Sequence, residues 1–207
     1  PAKERVTALE EQAGSWHALA EPEGRYRYCA NAQHGVCNWL ISTDSPEQFC
    51  VACRHNRMIP DLSQTQNLVN WRKIEIAKRR LFYTLLKLRL PIVTKADDPD
   101  GLAFDFLAGP TARPVMTGHT DGLITINLAE ANDSERERQR QHMAEPYRTL
   151  LGHFRHEIAH YFWGRLIKNS PSLEKFRQLF GDERKDYAAA LQDYYARGPA
   201  PDWPDRF

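Results

Sequence analysis

Apolar residues recur at three- and four-residue steps in two long stretches of the chain, and each stretch predicts an amphipathic helix. The first stretch covers residues 66–90 and stops before Pro91, and the second begins near Tyr147. Two shorter helices are predicted farther on, at 172–180 and 183–197. The helix that begins near Tyr147 contains the sequence pattern that points most directly to chemistry.

Two other helices are predicted from weaker signals. Residues 1–20 carry apolar residues at helical spacing, with a frayed tail as the alternative. A charged surface helix is expected to begin at Asp133 or Ser134, where Ser134 and Glu137 fit a capping box. The basic run 78–80 on the first long helix is interpreted as part of a solvated face.

Alternating apolar and polar residues predict short strands on both sides of the first long helix. On the N-terminal side, Tyr26 and Tyr28 alternate with arginines, and a second strand is expected at 38–41. On the C-terminal side, the turn signal Asp121-Gly122 joins two strands into a hairpin. The strands predicted on this side cover residues 102–107, 114–119 and 123–128. Together with the helices, they indicate an α+β fold.

Composition excludes some classes of protein and favours one cellular compartment. The 207 residues are 42% hydrophobic, which suffices for one sizeable core, or for one core and a small satellite. The net charge of +1 gives no general attraction to nucleic acid or to an anionic membrane. No run of 18 apolar residues and no secretory signal is present, so we expect a cytoplasmic protein without membrane partners. The chain begins at Pro1 without an initiator Met, and we expect a fragment or a processed form.

All four cysteines lie within 25 residues of one another, which favours a shared metal site. Cys50 and Cys53 have the two-residue spacing of a zinc knuckle, whereas Cys29 and Cys37 are more widely spaced than usual. Without a secretory signal, thiolates on Zn²⁺ are favoured over two disulfides, with free thiols as the alternative. Two histidines, His34 and His55, could serve as fallback ligands, although a surface position is expected for each.

The second long helix contains the pattern His156-Glu157-Ile158-Ala159-His160, which is an HExxH sequence. Two imidazoles four residues apart lie on one helix face, where both can bind one Zn²⁺. Glu157 is directed toward the same space and can take a proton from metal-bound water. On a helical wheel the polar residues of this segment separate from Phe154 and Ile158, as a functional site requires. A solvated face of histidines and acids is the alternative.

Several segments together resemble the bacterial putative zinc-binding metallopeptidase family with an N-terminal zinc-ribbon domain. The match covers nearly the whole chain and includes many positions outside the HExxH motif. The resembling segments are 28–31, 37–40, 59–62, 77–81, 117–119, 122–127 and 147–157. The resemblance implies a zinc-ribbon module within residues 1–62, then a gluzincin-like metallopeptidase domain at 63–207 with a short mixed sheet and the HExxH helix. It also implies two Zn²⁺ ions and peptide-bond hydrolysis.

The same resemblance implies that part of the catalytic site lies outside this sequence. In gluzincin-like enzymes the third zinc ligand is a Glu on a later helix, and we expect it beyond Phe207. Within the chain, the near substitutes are expected to be solvent-facing or capping residues; they are Asp182, Glu183 and Asp186. Candidates to stabilise the oxyanion, each also open to a structural role, are His153, Tyr187 and Tyr194. Self-cleavage near residue 207 is a further possibility.

These observations lead to a zinc peptidase whose substrate is a peptide or protein. His156 and His160 hold the metal, and Glu157 acts as general base to metal-activated water. HExxH peptidases generally bind an extended substrate on an edge strand, for which we suggest 123–128, with a plain core strand as the alternative. His119 is expected to be a turn residue rather than a ligand, and Arg54 with Arg57 to be solvated rather than to bind nucleic acid. The alternative function is a zinc-ribbon binding or scaffold protein with a degenerate peptidase-like domain.

Overall fold

The computed structural model describes residues 8–12, 14–109, 115–142 and 149–198. By its internal contacts the chain divides into two compact units, Pro1–Tyr161 and Phe162–Phe207. The first unit holds both four-stranded sheets, the helix Thr65–Lys87 and most of the helix Leu150–Leu166, whose last residues are assigned to the second unit together with two short helices. Within the described ranges, no helix is both long and apolar enough to cross a membrane.

The first sheet is an antiparallel meander of four consecutive strands. Its strands are β1 (Leu9–Gln12), β2 (Ser15–Ala18), β3 (Glu21–Tyr28) and β4 (Leu40–Ser42). The helix predicted for residues 1–20 is wrong over its described part, because Gly14 turns the chain with a left-handed φ of 77° and β2 then pairs with β3. Trp16 packs edge-on against Tyr28 at 5.4 Å between ring centroids, a tertiary contact that overrides the helical spacing. Val6 and Ala13 lie outside the described residues.

The second sheet is mixed, and its strand order is β5, β6, β8, β7. β5 and β6 are parallel, as are β6 and β8, whereas β7 runs antiparallel to β8. Its strands are β5 (Asn56–Met58), β6 (Ala103–Leu107), β7 (Gly118–Thr120) and β8 (Leu123–Asn127). The hairpin predicted around Asp121-Gly122 is therefore present. The suggestion that 123–128 forms the sheet edge is wrong, because β8 lies between two partners and β7 occupies the edge.

Helix α1 (Thr65–Lys87) connects β5 to β6 and supplies much of the core of the first unit. Its predicted helical stretch is confirmed, and the chain leaves the helix through Arg89, which has a φ of 53°. The aromatic core joins this helix to the mixed sheet, since Phe82 lies 6.0 Å from Phe104 between ring centroids. Phe104 in turn lies 5.8 Å from Phe154 of the HExxH helix.

Lys78 contradicts the prediction of a solvated basic face on α1, because its side chain is completely buried. Its ammonium contacts Glu75 at 2.8 Å and also donates to the side chain of Asn56. The Asn56 amide donates to the same Glu75 oxygen at 2.9 Å, whereas the other Glu75 oxygen is buried without a hydrogen-bond partner among the described residues. Burial raises the pKa of Glu75, although the neighbouring ammonium acts in the opposite direction. This buried network joins β5 to α1.

The remaining helices are α2 (Asp133–His142), α3 (Leu150–Leu166), α4 (Leu173–Phe180) and α5 (Tyr187–Arg197). The capping prediction for α2 is wrong by one or two residues: the Asn132 side chain accepts from the backbone N–H groups of Ser134 and Glu135. The predicted start of the HExxH helix near Tyr147 lies outside the described residues. The hydroxyl group of Thr149 accepts from the backbone N–H of Gly152 at 3.0 Å and caps the first described turn of α3.

Candidate metal centres

The four cysteine side chains converge on one point inside the first unit. All four are buried free thiols, and their sulfur atoms lie within 4.8 Å of one another. The Sγ atoms of Cys37 and Cys50 are 3.7 Å apart. A tetrahedral Zn²⁺ with Zn–S bonds of about 2.3 Å separates its sulfur ligands by about 3.8 Å. The cluster formed by Cys29, Cys37, Cys50 and Cys53 therefore fits a structural zinc ion.

Backbone N–H groups and neighbouring thiols form hydrogen bonds to sulfur atoms of this cluster. The N–H of Trp39 donates to the Cys37 sulfur at 3.4 Å, and the N–H of Cys50 donates to the Cys29 sulfur at 3.3 Å. Hydrogen bonds from the Cys37, Cys50 and Cys53 thiols hold the pKa of Cys29 well below its usual value. These donors orient the ligands in the way that outer-shell partners of zinc sites do.

The two fallback histidines differ in burial, and neither belongs to the sulfur cluster. His55 is buried, which contradicts its expected surface position, and its Nδ1 donates to the Val51 carbonyl at 2.7 Å. Burial lowers the pKa of His55 to about 4, so its ring is neutral at pH 7. It packs 4.9 Å from Phe82, between ring centroids. His34 is partly exposed and lies 6.2 Å from Trp71 by the same measure. Both residues pack against α1.

The HExxH histidines meet on the exposed side of α3. The Nε2 atoms of His156 and His160 lie 3.1 Å apart, and the two rings are nearly perpendicular, at 82°. Two nitrogens on a tetrahedral Zn²⁺, each at about 2.05 Å, are separated by about 3.3 Å. One metal ion can therefore bridge this pair with little rearrangement. Within the described part of the chain, however, the cysteines form the only cluster of three or more potential ligands.

Glu157 lies beside this pair but is buried, unlike the histidines. Its Oε1 is 3.2 Å from the Nε2 of His153, one helical turn earlier. Burial opposes ionisation of Glu157, but the hydrogen bond from His153 and the adjacent imidazoles outweigh it and lower the pKa of this carboxyl group. The side chain is thus held as a carboxylate that can accept a proton.

His153 connects Glu157 to a second buried acid, Glu130. The Nδ1 of His153 lies 3.2 Å from Glu130 Oε2, on the opposite side of the ring from Glu157. Glu130 is 3% exposed and belongs to the 3₁₀ turn Leu128–Ala131 that follows β8. Carboxylates only accept hydrogen bonds, so both contacts form when each ring nitrogen carries a proton. Glu130 was not predicted as a site residue, because its only signal in the sequence is a single acid between two alanines after a strand.

His119 also lies near the histidine pair. It belongs to β7, and its ring is nearly parallel to that of His160, with 6.3 Å between centroids. Its Nε2 accepts from the backbone N–H of Gly122 at 3.0 Å, which fixes the proton on Nδ1 and stabilises the turn. Burial lowers the pKa of His119, and so does the neighbouring His160. His119 therefore contacts the turn and also faces the candidate site.

The acids considered as substitute third ligands are each occupied within the second unit. Asp182 pairs with Arg184 at 2.8 Å, and Glu183 pairs with Arg177 at 2.7 Å. Asp186 accepts from the Ala189 N–H at 2.8 Å and caps α5. Of the two tyrosines considered for the oxyanion, Tyr187 is largely exposed in α5. The side chain of Tyr194 lies outside what the structure describes.

A four-thiol ribbon followed by a mixed-sheet domain with a histidine pair defines a zinc-ribbon protein with a metallopeptidase-like domain. A zinc-ribbon domain matches residues 1–64, and the family described as putative zinc-binding metallo-peptidase matches residues 67–207. The second match covers more than half of the chain, which therefore belongs to this family.

Relatives of the chain occur in mycobacteria. Uncharacterized proteins of Mycobacterium tuberculosis and Mycobacterium bovis are each 46% identical to it over 181 residues. The match covers 86% of this chain and 53% of each relative, so the chain spans about half the length of the curated relatives it matches. No solved structure matches the chain.

Proposed function

We propose that the chain carries the metal-binding and general-base groups of a zinc-dependent peptide hydrolase. The observation that carries this proposal is the 3.1 Å separation of the Nε2 atoms of His156 and His160, with a buried carboxylate on the next residue. Membership of a zinc-binding metallo-peptidase family supports it. In this proposal His156 and His160 hold the metal, and the third protein ligand is supplied from outside the described residues.

Glu157 is the general base. When bound between the histidines, Zn²⁺ supplies Lewis-acid chemistry by polarising a carbonyl and acidifying a coordinated water. Glu157 receives the proton of the attacking water and then delivers it to the nitrogen of the departing amine. The carboxylate suits this role because it is buried next to the histidine pair and its pKa is lowered, so it is ionised at neutral pH.

His153 and Glu130 are positioning residues for that base. The His153 ring holds one Glu157 oxygen at 3.2 Å and is itself held by Glu130 at 3.2 Å. A residue so held loses little freedom at the moment of reaction, which is how preorganised sites gain rate. This role replaces the earlier suggestion that His153 stabilises an oxyanion, since both of its ring nitrogens already face carboxylates.

The substrate backbone pairs with β7 rather than with β8. β7 is at the sheet edge, and no described strand pairs with its outer side. Its backbone groups on that side can therefore pair with an added strand. His119 of this strand has its ring 6.3 Å from that of His160, which places a bound peptide next to the histidine pair. The Nδ1–H of His119 is then a donor available to the substrate.

Glu157→Gln tests the mechanism, because it removes the base without changing the size of the side chain. We expect zinc binding to persist and peptide hydrolysis to fall by about a hundredfold or more. The matched control is Glu174→Gln on exposed α4, which should leave hydrolysis unchanged. Hydrolysis of an unstructured protein substrate is measured together with zinc content. An undiminished rate in the Glu157 variant excludes this mechanism.

A second function, a zinc-ribbon binding or scaffold protein, is favoured by one observation. Beyond the two histidines, the described residues provide no third ligand to the candidate catalytic site. Zinc stoichiometry of the purified chain separates the two functions. Two zinc ions per chain, one of them lost in a His156→Ala variant, support the hydrolase. A single ion retained by that variant supports the scaffold.

A further inference from the structure

A groove of about 460 Å³ opens on the first unit where the cysteine module meets α1 and α3. Its volume lies within the range typical of ligand-binding clefts. The cysteine module contributes two residues, α1 contributes five and α3 contributes one. In chain order they are Asn38, Trp39, Ile76, Arg79, Arg80, Tyr83, Thr84 and Arg155.

The groove is basic. Three arginines line it, and no acidic side chain is present among the described residues that form its wall. Arg79 donates to the Val36 carbonyl and so attaches α1 to the cysteine module. The exposed side chains of Arg80 and Arg155 form neither a hydrogen bond nor an ion pair with any described residue. Two guanidinium groups are therefore open to an incoming anion.

The same groove offers apolar surface next to this charge. Tyr83 is 47% exposed and Ile76 is 40% exposed, although both lie on α1, whose other face is buried in the core. Trp39 of the cysteine module also lines the groove and is partly exposed. Guanidinium groups bind carboxylates through paired hydrogen bonds, and the aromatic and aliphatic surfaces can cover apolar side chains.

We propose that this groove binds an acidic peptide segment of a protein partner, with carboxylates on Arg80 and Arg155 and an apolar side chain against Ile76 and Tyr83. Nucleic acid is disfavoured because the chain has a net charge of only +1. The arginines of the cysteine module also give it little support, since Arg57 is bound to Asp105 and Arg54 lies 3.5 Å from Glu47.

The groove lies on a different side of α3 from the candidate base. Arg155 directly precedes His156, but at about 100° per residue its side chain is turned by about 200° from that of Glu157. The proposed binding therefore involves none of the residues assigned to hydrolysis. It can be tested with the zinc-loaded chain whether or not the chain cleaves peptides.

The test is fluorescence anisotropy with a short labelled peptide rich in glutamate and leucine, and with a single-stranded DNA of matched charge as the competing probe. The test variant is Arg80→Glu/Arg155→Glu, in which both substitutions are at exposed positions. The control variant, Lys168→Glu/Lys175→Glu, changes the net charge by the same amount at exposed positions of the second unit. Thermal melting and zinc content confirm that both variants are folded.

We expect the peptide to bind the unmodified chain and the control equally, and the test variant at least about tenfold more weakly, because two charged hydrogen-bond donors are lost. Arg80→Lys/Arg155→Lys should bind the peptide with intermediate affinity, since the charge remains but the paired geometry is lost. Tighter binding of the DNA than of the peptide overturns the proposal. So does equal weakening in test and control variants, or no peptide binding at all.

Discussion

Glu130→Gln tests whether the acid behind His153 contributes to the proposed catalysis. The substitution keeps the shape of the side chain and an oxygen that can accept from His153 Nδ1, but it removes the negative charge. Without that charge, a doubly protonated His153 ring loses one of its two carboxylate partners. A neutral ring that still donates from Nδ1 has no proton on Nε2 and cannot donate to Glu157. A change in one buried residue thus acts on the base through the ring between them.

The expected magnitude follows from burial and from the number of hydrogen bonds lost. The Glu130 side chain is 4% exposed and that of His153 is 17% exposed, so solvent screens this pair only weakly. A hydrogen bond to a charged group contributes about 1.5–3 kcal/mol. We therefore expect the free energy of unfolding to fall by about 2 kcal/mol. If the hydrogen bond to Glu157 is also lost in the transition state, kcat should fall by about ten- to a hundredfold.

The assay combines kinetics with a measurement on His153 itself. Peptide hydrolysis should show a lower kcat with little change in KM, and zinc content should be unchanged. Nitrogen NMR of the His153 ring should report two protonated nitrogens in the unmodified protein and one in the variant. Glu135→Gln is the control, because its ion pair with Arg138 is at the surface of α2 and should contribute about 0.5 kcal/mol or less. An unchanged kcat together with an unchanged His153 ring would refute the reasoning.

Two further predictions concern the stability of the fold. Lys78→Met should lower the free energy of unfolding by about 3–5 kcal/mol in urea titrations, because Glu75 then stays buried without its cation. Adding Glu75→Gln to the Lys78 variant should recover at least about 1 kcal/mol. If Lys78→Met alone lowers the free energy of unfolding by less than about 1 kcal/mol, the ion pair of Lys78 with Glu75 does not stabilise the fold as described. Gly122→Ala should cost about 2 kcal/mol or more in thermal unfolding, since the residue has a φ of 80° and a Cβ would lie 2.2 Å from the Gly101 carbonyl oxygen. Its control, Gly164→Ala on an open helix surface, should instead stabilise the chain by up to about 1 kcal/mol; equal losses in the two variants would argue against a special role for Gly122.

The features predicted best from the sequence are those that depend only on residues close together in the chain. The period of α1, the turn at Asp121-Gly122 and the shared face of His156 and His160 follow from spacing alone. The convergence of the cysteines was expected from their clustering in the chain, and their four sulfurs do meet. The errors occurred where a distant partner decides the outcome. Residues 9–12 and 15–18 form strands because β1 pairs with β2 and β2 pairs with β3, and β8 is interior because it pairs with β6 on one side and with β7 on the other.

The sequence by itself determined the donor groups available to a metal, because the identity and spacing of histidines and cysteines set which atoms can share one ion. Only the tertiary structure decided how charge is buried around them. Glu130, in the turn after β8, faces His153 of α3, and Lys78 of α1 lies between Asn56 of β5 and the rings of Phe104 and Phe106 of β6. Burial and pairing depend on contacts between residues far apart in the chain, and no local pattern of apolar and polar residues encodes those contacts.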